Sequence, residues 1–283
     1  MDARDAWRSA EGPLLYAHRG ARLEHPESTL PALSAALSLG ADALEIDAHM
    51  TRDGHVVVAH DPDAARMAGV AGLIREVDLA TARTWDMGRG FRGRAEGAPP
   101  VRMPTLLEVI EALPGARLNV DLKQAEPSMA AATVGCVHEA GAEQRVLLTS
   151  FSGETLAAVR AAGYRGPTGL AQPDAFRAFF APRAVLRAFP LAGGRLQVPV
   201  AYGPISLDSR RLLDKMHGLD VAVDYWVIND VDEAARLLDL GADGIVSDDP
   251  RAMAGLFARH PATGGWRARH PELARELGVG GER

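Results

Sequence analysis

The sequence predicts an α/β protein, a TIM-type (β/α)8 barrel with a small insertion after the second strand. Three observations carry this. Short apolar runs alternate with longer amphipathic runs along the chain. They recur at barrel-sized spacing. Ionisable residues gather at the ends of several of the apolar runs. Strand–helix alternation calls for a parallel sheet covered by helices, and this spacing favours closure over an open doubly wound sheet. With 283 residues, 47 % of them hydrophobic, the chain can bury a substantial core. Its length is near the roughly 250 residues of one barrel domain.

The elements run in order from the N-terminus. Residues 14–17 form a short apolar run ending at His18. Leu30, Leu33, Ala36 and Leu37 share one face of a helix over 30–39, and Gly40 fits its stop. Strands are expected at 43–46, 56–59, 118–122 after a Pro-Gly turn, 146–149, 168–171, 196–200, 221–228 and 244–247, with helices near 127–140 and 153–162 among those between them. Two stretches interrupt the rhythm. Residues 61–104 lack strong periodicity and are rich in Gly, Arg, Met and Pro, so they are expected to form a small lid or subdomain. Residues 260–283 are polar and Gly-rich, and read as an appended helix with a frayed end. One domain over 1–283, with its core at about 14–258, accounts for the whole pattern.

Composition excludes some functions. A formal charge of −6 and a pI near 5.9 argue against a nucleic-acid binder, which needs a basic face. Cys136 is alone, so no disulfide forms within the chain, and no basic neighbour marks it as a reactive thiolate. Residues 1–8 are polar and mixed in charge with no apolar signal core after them, and no apolar run is long enough to span a membrane. The default expectation is a cytoplasmic protein of open oligomeric state.

Chemistry enters at the strand ends. His18-Arg19-Gly20 follows the first strand, Glu45-Ile46-Asp47 lies on the second, His60-Asp61 closes the run 56–59, and Asp121-Leu122-Lys123 lies on the strand after the insertion. In a barrel the C-terminal strand ends converge on one mouth. Side chains two apart on a strand share a face, so Glu45 pairs with Asp47 and Asp121 with Lys123. Carboxylates pointing into a barrel are costly unless paired or bound to a cation. Glu45, Asp47 and Asp121 make an all-oxygen site suited to one Mg²⁺ or Ca²⁺. Arg19 and Lys123 supply positive charge for an anion, most simply a phosphate. His18 and His60 are suited to give and take protons near neutral pH. Together these groups describe phosphoester cleavage.

Other features have blander readings. Gly88 to Gly93 matches Gly-x-Gly-x-x-Gly by letter, but residues 94–100, with Gly97, Pro99 and Pro100, start no helix, so a loop is expected rather than a dinucleotide site. His49 continues the Glu45, Asp47 alternation and is expected to be packed or hydrogen-bonded, while His25 and His55 are expected at the surface. Trp226 ends a long apolar strand and is favoured as an aromatic wall for substrate at the mouth over core packing. Phe176, Phe179 and Phe180 are assigned to core packing, with a hydrophobic leaving group as the alternative.

The motifs His18-Arg19-Gly20, Pro26-Glu27-Ser28-Thr29, Glu45-Ile46-Asp47, Thr51-Arg52-Asp53-Gly54 and His60-Asp61 closely resemble the glycerophosphodiester phosphodiesterase family. Later matches are Pro104-Thr105-Leu106, 119–123, Ser150-Phe151, 226–229 and the stretch from Asp243 through Asp248 to Pro250. The resemblance covers about 14–258. It implies a TIM barrel with an insertion after the second strand, a divalent cation, and hydrolysis of small-molecule glycerophosphodiesters to sn-glycerol 3-phosphate and an alcohol. The histidine pair would act through a cyclic phosphate. A lysophospholipase D or sphingomyelinase D-like activity, and a non-catalytic phosphodiester-binding barrel, are the competing readings. Two departures stand out: Ser28 where the family usually has Asn, read here as a helix cap, and Asp121 where it usually has Glu.

Overall fold

The computed structural model describes Trp7 and residues 12–279. Seven parallel strands wrap around one axis: β1 (Leu14–His18), β2 (Ala43–Met50), β3 (Arg117–Leu122), β4 (Val146–Thr149), β5 (Arg195–Val198), β6 (Ala222–Tyr225) and β7 (Gly244–Ser247). Their order is β4-β3-β2-β1-β7-β6-β5. The remaining gap, between β4 and β5, is filled by residues 168–169. Leu148 bridges Thr168 and Gly169 bridges Arg195, both in parallel. Gly169 N–H donates to Leu148 at 3.0 Å and Leu170 N–H to Arg195 at 2.8 Å. The barrel is therefore closed, with its fifth stave reduced to two bridges. Gly169 permits the squeeze, since a Cβ there would lie 2.7 Å from Thr149 Cγ2.

Eight helices form the outer ring: α1 (Leu30–Ser38), α2 (Leu106–Ala112), α3 (Ala130–Glu139), α4 (Gly153–Ala161), α5 (Gln172–Phe180), α6 (Arg210–His217), α7 (Val231–Leu240) and α8 (Pro250–Arg259). Local chemistry starts them where the sequence places the turns. Ser152, Asp230 and Asp249 cap α4, α7 and α8, and Thr105 and Glu108 form a capping box at α2.

Strand alternation sorts the side chains. Ala17, Leu44, Ile46, Leu118 and Val120 face outward into one apolar cluster, and Leu15, Val223, Tyr225 and Ile245 into another. Leu14, Tyr16, Ala43, Leu147 and Val246 face the axis, with Trp7 stacked on Tyr16 at 6.2 Å. Above them a polar chain crosses the interior. Arg195 is held by Asp224 through Nε at 2.6 Å and a second nitrogen at 2.7 Å. Gln197 donates to Asp224 at 3.1 Å, Asn119 to Gln197 at 2.9 Å and Thr149 to Asn119 at 3.2 Å. Every step is hydrogen-bonded, as buried polar groups require.

One expected strand has a different role. The segment Val56–Val58 is not a barrel stave but an antiparallel return arm on β2, with Ala48 opposite Val58 and Met50 opposite Val56. β2 overshoots the mouth, turns at 51–55 and comes back down. After it, residues 61–104 hold a two-stranded ribbon (Asp63–Ala64 with Val70–Leu73) and short helical turns. Met67, Ile74, Trp85, Met87 and Met103 pack there against Val57 and Ala59 of the return arm. Gly88 to Gly93 lies in turns of this segment, with no strand before it.

The C-terminal stretch carries the short helices Gly264–Arg269 and Pro271–Glu276. Trp266 is fully buried and donates to the Gly40 carbonyl at 2.8 Å. Asp42, just before β2, accepts from Leu15 N–H (2.8 Å), Arg269 Nε (2.6 Å) and His270 Nε2 (2.9 Å). Burial pushes this carboxyl up, but the bonds from His270, Arg269 and Leu15 outweigh it and hold it below the usual range. Asp42→Ala should cost about 1–3 kcal/mol at neutral pH, because it removes the buried acceptor shared by the Leu15 N–H, Arg269 and His270. A carboxyl depressed by folding contributes fully above its unfolded value, near 4, and loses that contribution as pH falls through the folded value. Urea unfolding of both proteins should therefore show a gap at pH 7 that narrows in acid; a gap independent of pH would refute this account.

Candidate active site

The mouth of the barrel opens into a cavity of about 350 Å³, and every residue expected at the site lines it: His18, Arg19, Glu45, Asp47, His60, Asp121, Lys123 and Trp226. They arrive by different routes. His18, Glu45, Asp47 and Asp121 end inward-facing strand columns, and Lys123 follows β3 in the same alternation. His60 arrives on the return arm. Ala59 N–H donates to the Asp47 backbone carbonyl at 3.0 Å, which brings the next residue, His60, into the lining of the cavity. Convergence of parallel strand ends does not explain this position; the hairpin on β2 does.

Asp47 is the electrostatic hub. It is 1 % exposed, with Lys123 Nζ 2.9 Å from one oxygen and Arg19 Nε 3.1 Å from the other. Lys123 also donates to Asp121 at 2.6 Å. Burial opposes charge on Lys123, but Asp121 and Asp47 outweigh it and hold its pKa up. Glu45 has no such partner. Burial, and then the negative charges of Asp47 and Asp121, push its carboxyl well above the usual range. Burial is also the largest cause of the upward shift of Asp121. Glu45 Oε2 is buried without a hydrogen-bond donor, and Asp47 Oδ2 has only its ion pair with Arg19 Nε, which is not aligned as a hydrogen bond.

Each site histidine has one nitrogen engaged. His18 Nδ1 lies 2.7 Å from Asp248 Oδ1, and its Nε2 is 3.9 Å from Glu45 Oε2. His60 Nδ1 lies 2.9 Å from Asp61 Oδ1. Asp248 is itself held by Arg22 at 2.8 Å and Asn229 at 2.9 Å. Burial raises its carboxyl, but His18 and then Asn229 and Arg22 bring it well below the usual range. His49, the extra member of the β2 alternation, is buried and contacts the His60 carbonyl at 3.2 Å. Burial lowers its pKa, so it serves as a neutral donor there.

A guanidinium cluster frames this arrangement. Glu27 is buried and receives Arg19 at 3.1 Å, Arg22 at 2.8 Å and Arg66 at 2.6 Å. Burial pushes its carboxyl up, yet Arg66, Arg22 and Arg19 together lower it to about 2. Arg66 also reaches Asp61 at 2.7 Å, tying the 61–104 segment to the His60 side of the site. Arg19 takes a left-handed backbone, φ 59°, which folds its side chain back over Asp47. Ser28 shares that conformation, also φ 59°, and its buried hydroxyl has no partner. The cap of α1 is Thr29, not Ser28. Ser28 instead occupies a left-handed position, which Asn adopts more readily than Ser.

Sequence reasoning did not single out Asp248, Glu27, Arg22, Arg66 or Asn229 as site residues. Asp248 had a signal, since it continues the Val246 alternation past β7 as Lys123 does past β3. Arg66 had none, because its partners are set by how the insertion folds. Phe176 and Phe180 are not core residues: they are 43 % and 65 % exposed and line the cavity, while Phe179 both lines it and packs against the core. His25 is half-buried rather than at the surface. No described helix is long and apolar enough to cross a membrane.

A closed (β/α)8 barrel with two imidazoles, carboxylates and cations gathered at its mouth has the makings of a phosphoric diester hydrolase. Residues 18–252 match the model of the glycerophosphoryl diester phosphodiesterase family, and the chain belongs to that family. A glycerophosphodiester phosphodiesterase of Caldanaerobacter subterraneus is 27 % identical, over 87 % of this chain and 98 % of its own. A lysophospholipase D of Homo sapiens is 26 % identical over 83 % of each chain. Among solved structures, a putative glycerophosphoryl diester phosphodiesterase of Silicibacter pomeroyi superposes with a TM-score of 0.74 at 23 % identity, covering 99 % of both chains. An Oleispira antarctica phosphodiesterase in complex with its product sn-glycerol-3-phosphate does so with a TM-score of 0.69 at 25 % identity, over 87 % of this chain and 96 % of that one.

Proposed function

We propose that this chain, acting as a single catalytic domain, hydrolyses glycerophosphodiesters to sn-glycerol 3-phosphate and an alcohol, with His18 and His60 as the proton-transfer pair. The observation that carries the reading is their shared geometry. Each imidazole has Nδ1 engaged by an aspartate and lines the same cavity, leaving Nε2 for the substrate. That is the arrangement of an oriented acid–base pair.

Glu45, Asp47 and Asp121 would hold a divalent cation, Mg²⁺ or Ca²⁺. The donor chemistry supports this. All are carboxylates, and Glu45 Oε2 is buried with no hydrogen-bond donor. No three acidic, imidazole or thiol groups among the described residues stand together as a finished ion cage. Lys123 occupies the space between Asp47 and Asp121, so ion binding would have to reorganise that ammonium. When bound, the ion would supply Lewis-acid polarisation of the phosphate.

The chain's own groups do the rest. One histidine takes the proton of the glycerol 2-hydroxyl, whose oxygen attacks phosphorus. The other protonates the departing alcohol oxygen, and a cyclic glycerol phosphate results. Water then opens the ring with the roles of the histidines reversed. Arg19 and Lys123 offset charge on the phosphoryl oxygens, Asp248 and Asp61 fix the ring orientations, and Trp226 flanks the glycerol.

Three outcomes test this. His18→Ala and His60→Ala should each lower kcat on glycerophosphocholine by roughly 10²–10⁴-fold; near-normal turnover by either variant sinks the pair. Chelation followed by verified metal analysis should abolish turnover, and Mg²⁺ or Ca²⁺ should restore it, whereas full activity of metal-free protein would refute the carboxylate site. A substrate lacking the 2-hydroxyl should bind yet turn over at least about 100-fold more slowly. Cleavage at an ordinary rate would mean that water, not the substrate's own hydroxyl, attacks.

A further inference from the structure

Two features of the insertion have no part in the reaction proposed above: the arginine near its start and its glycine-rich run. Arg66 does not line the cavity, and neither do Asp61 and Glu27, the two carboxylates it grips. Yet it links the two halves of the site. On one side Nε donates to Asp61 Oδ2 at 2.7 Å, and Asp61 Oδ1 lies 2.9 Å from His60 Nδ1. On the other side a terminal nitrogen donates to Glu27 Oε1 at 2.6 Å. Arg19 donates to that same oxygen at 3.1 Å, while its Nε lies 3.1 Å from Asp47. A continuous path of polar contacts therefore runs from His60 to Asp47, and Arg66 is its middle member.

Asp61 does not orient His60 by itself. Its side chain is 24 % exposed, so a carboxylate with one partner can turn away into water. Arg66 fixes the second oxygen, which leaves the first for the imidazole. Arg66 in turn needs support. It lies in a helical turn of four residues, Ala65–Ala68, too short to persist alone. The run Gly88 to Gly93 supplies that support. Gly90 N–H donates to the Met67 carbonyl at 2.8 Å. A Cβ on Gly90 would sit 2.4 Å from the Arg66 carbonyl oxygen. Gly90 does not take a left-handed φ, so only this close approach calls for glycine there. Asp86 closes the segment behind it, accepting from Gly88 N–H at 3.1 Å and from Val101 N–H at 2.9 Å.

We infer that Arg66 is a positioning residue for the proposed proton transfer, aiming His60 through Asp61, and that Gly90 is the brace that sets Arg66 in place. The inference rests on the role given to His60 above and assigns the insertion a part in it. A planar guanidinium suits this place, because its fork can hold two carboxylates from different segments at once. The contact is not needed to satisfy Glu27, which keeps Arg19 and Arg22 when Arg66 is lost. Its consequence is at the imidazole: without Arg66, Asp61 is free to swing and the His60 ring loses its fixed partner.

Steady-state turnover of glycerophosphocholine and NMR of the histidine side-chain nitrogens test this on wild type, Arg66→Met, Gly90→Ala and the double variant. Arg66→Met should lower kcat by about 10–100-fold, the range for removing a partner that orients a metal-bound imidazole. KM should stay nearly unchanged, because Arg66 lies outside the cavity lining. In substrate-free wild type the neutral His60 ring, identified by its absence from the spectrum of His60→Ala, should show one tautomer, protonated at Nδ1. In Arg66→Met it should become a mixture. Gly90→Ala should lower kcat in the same way, and the double variant should be no slower than Arg66→Met. Gly97→Ala, strained by its φ of 76° but meeting nothing within 4 Å, loosens the same segment and should leave kcat unchanged. Where His60→Ala is impaired, an unaltered kcat in Arg66→Met would overturn the positioning role. So would a His60 signature that is the same in wild type and Arg66→Met. Additive losses in the double variant, or an equal loss in Gly97→Ala, would overturn the brace. If Gly90→Ala does not fold, Asp86→Ala, which frees Gly88 N–H and Val101 N–H, takes its place in the same cycle. Full turnover by His60→Ala alongside a disturbed His60 signature in Arg66→Met would refute the proposed proton-transfer pair and leave the orienting contact standing.

Discussion

The site is organised around one buried carboxylate held between two cations. Asp47 lies almost wholly out of water, with Arg19 on one oxygen and Lys123 on the other. A single buried charge would be prohibitive, and a carboxylate flanked by a guanidinium and an ammonium is not. Much else depends on that pairing. Arg19 can reach Asp47 because its backbone turns left-handed directly after β1. Lys123 can do so because Asp47 and Asp121 are register partners on adjacent parallel strands. Glu45, buried beside Asp47 and Asp121 without a cation of its own, then bears the repulsion, and its carboxyl is pushed well above the usual range. The barrel thus keeps a buried acidic oxygen without a hydrogen-bond donor in the lining of its cavity.

The two histidines are anchored by different parts of the chain. His18 is oriented by Asp248 at the end of the last barrel strand, so closure of the barrel between β1 and β7 brings the pair together. His60 is oriented by its neighbour Asp61, and the segment after it adds Arg66, which grips both Asp61 and Glu27. The 61–104 segment therefore carries an electrostatic tie to the site in addition to its own apolar cluster. Folding of that segment and alignment of His60 are coupled through one guanidinium.

Much of the architecture was legible in the chain, because strand and helix are written in period and the turns in Gly, Pro and capping residues. The strands at 146–149 and 244–247 and the helices α1, α3 and α4 lie where apolar spacing puts them. The run 56–59 was readable as a strand but not as an antiparallel one. Direction depends on what a strand pairs with, and β2 offered its overshooting end. The fifth stave, a full strand by composition, is reduced to two bridges at 168–169, where a side chain in place of Gly169 would meet Thr149.

The sequence by itself determined the chemical inventory at the mouth: two histidines, three carboxylates, an arginine and a lysine. Each inventory residue lies in an alternation or motif that is local in the chain. Only the tertiary structure decided what each group touches. Asp248 and Arg22 meet His18 and Glu27 across the closed barrel and a helix start, and Arg66 arrives from the insertion. Likewise the phenylalanines of α5 have the spacing of a core face. They line the cavity because a hairpin distant in sequence, Ala201–Tyr202 with Ile205–Ser206, stands opposite them and leaves that face open. Periodicity records which residues share a face; whether that face meets protein or solvent is set by contacts between segments far apart in the chain.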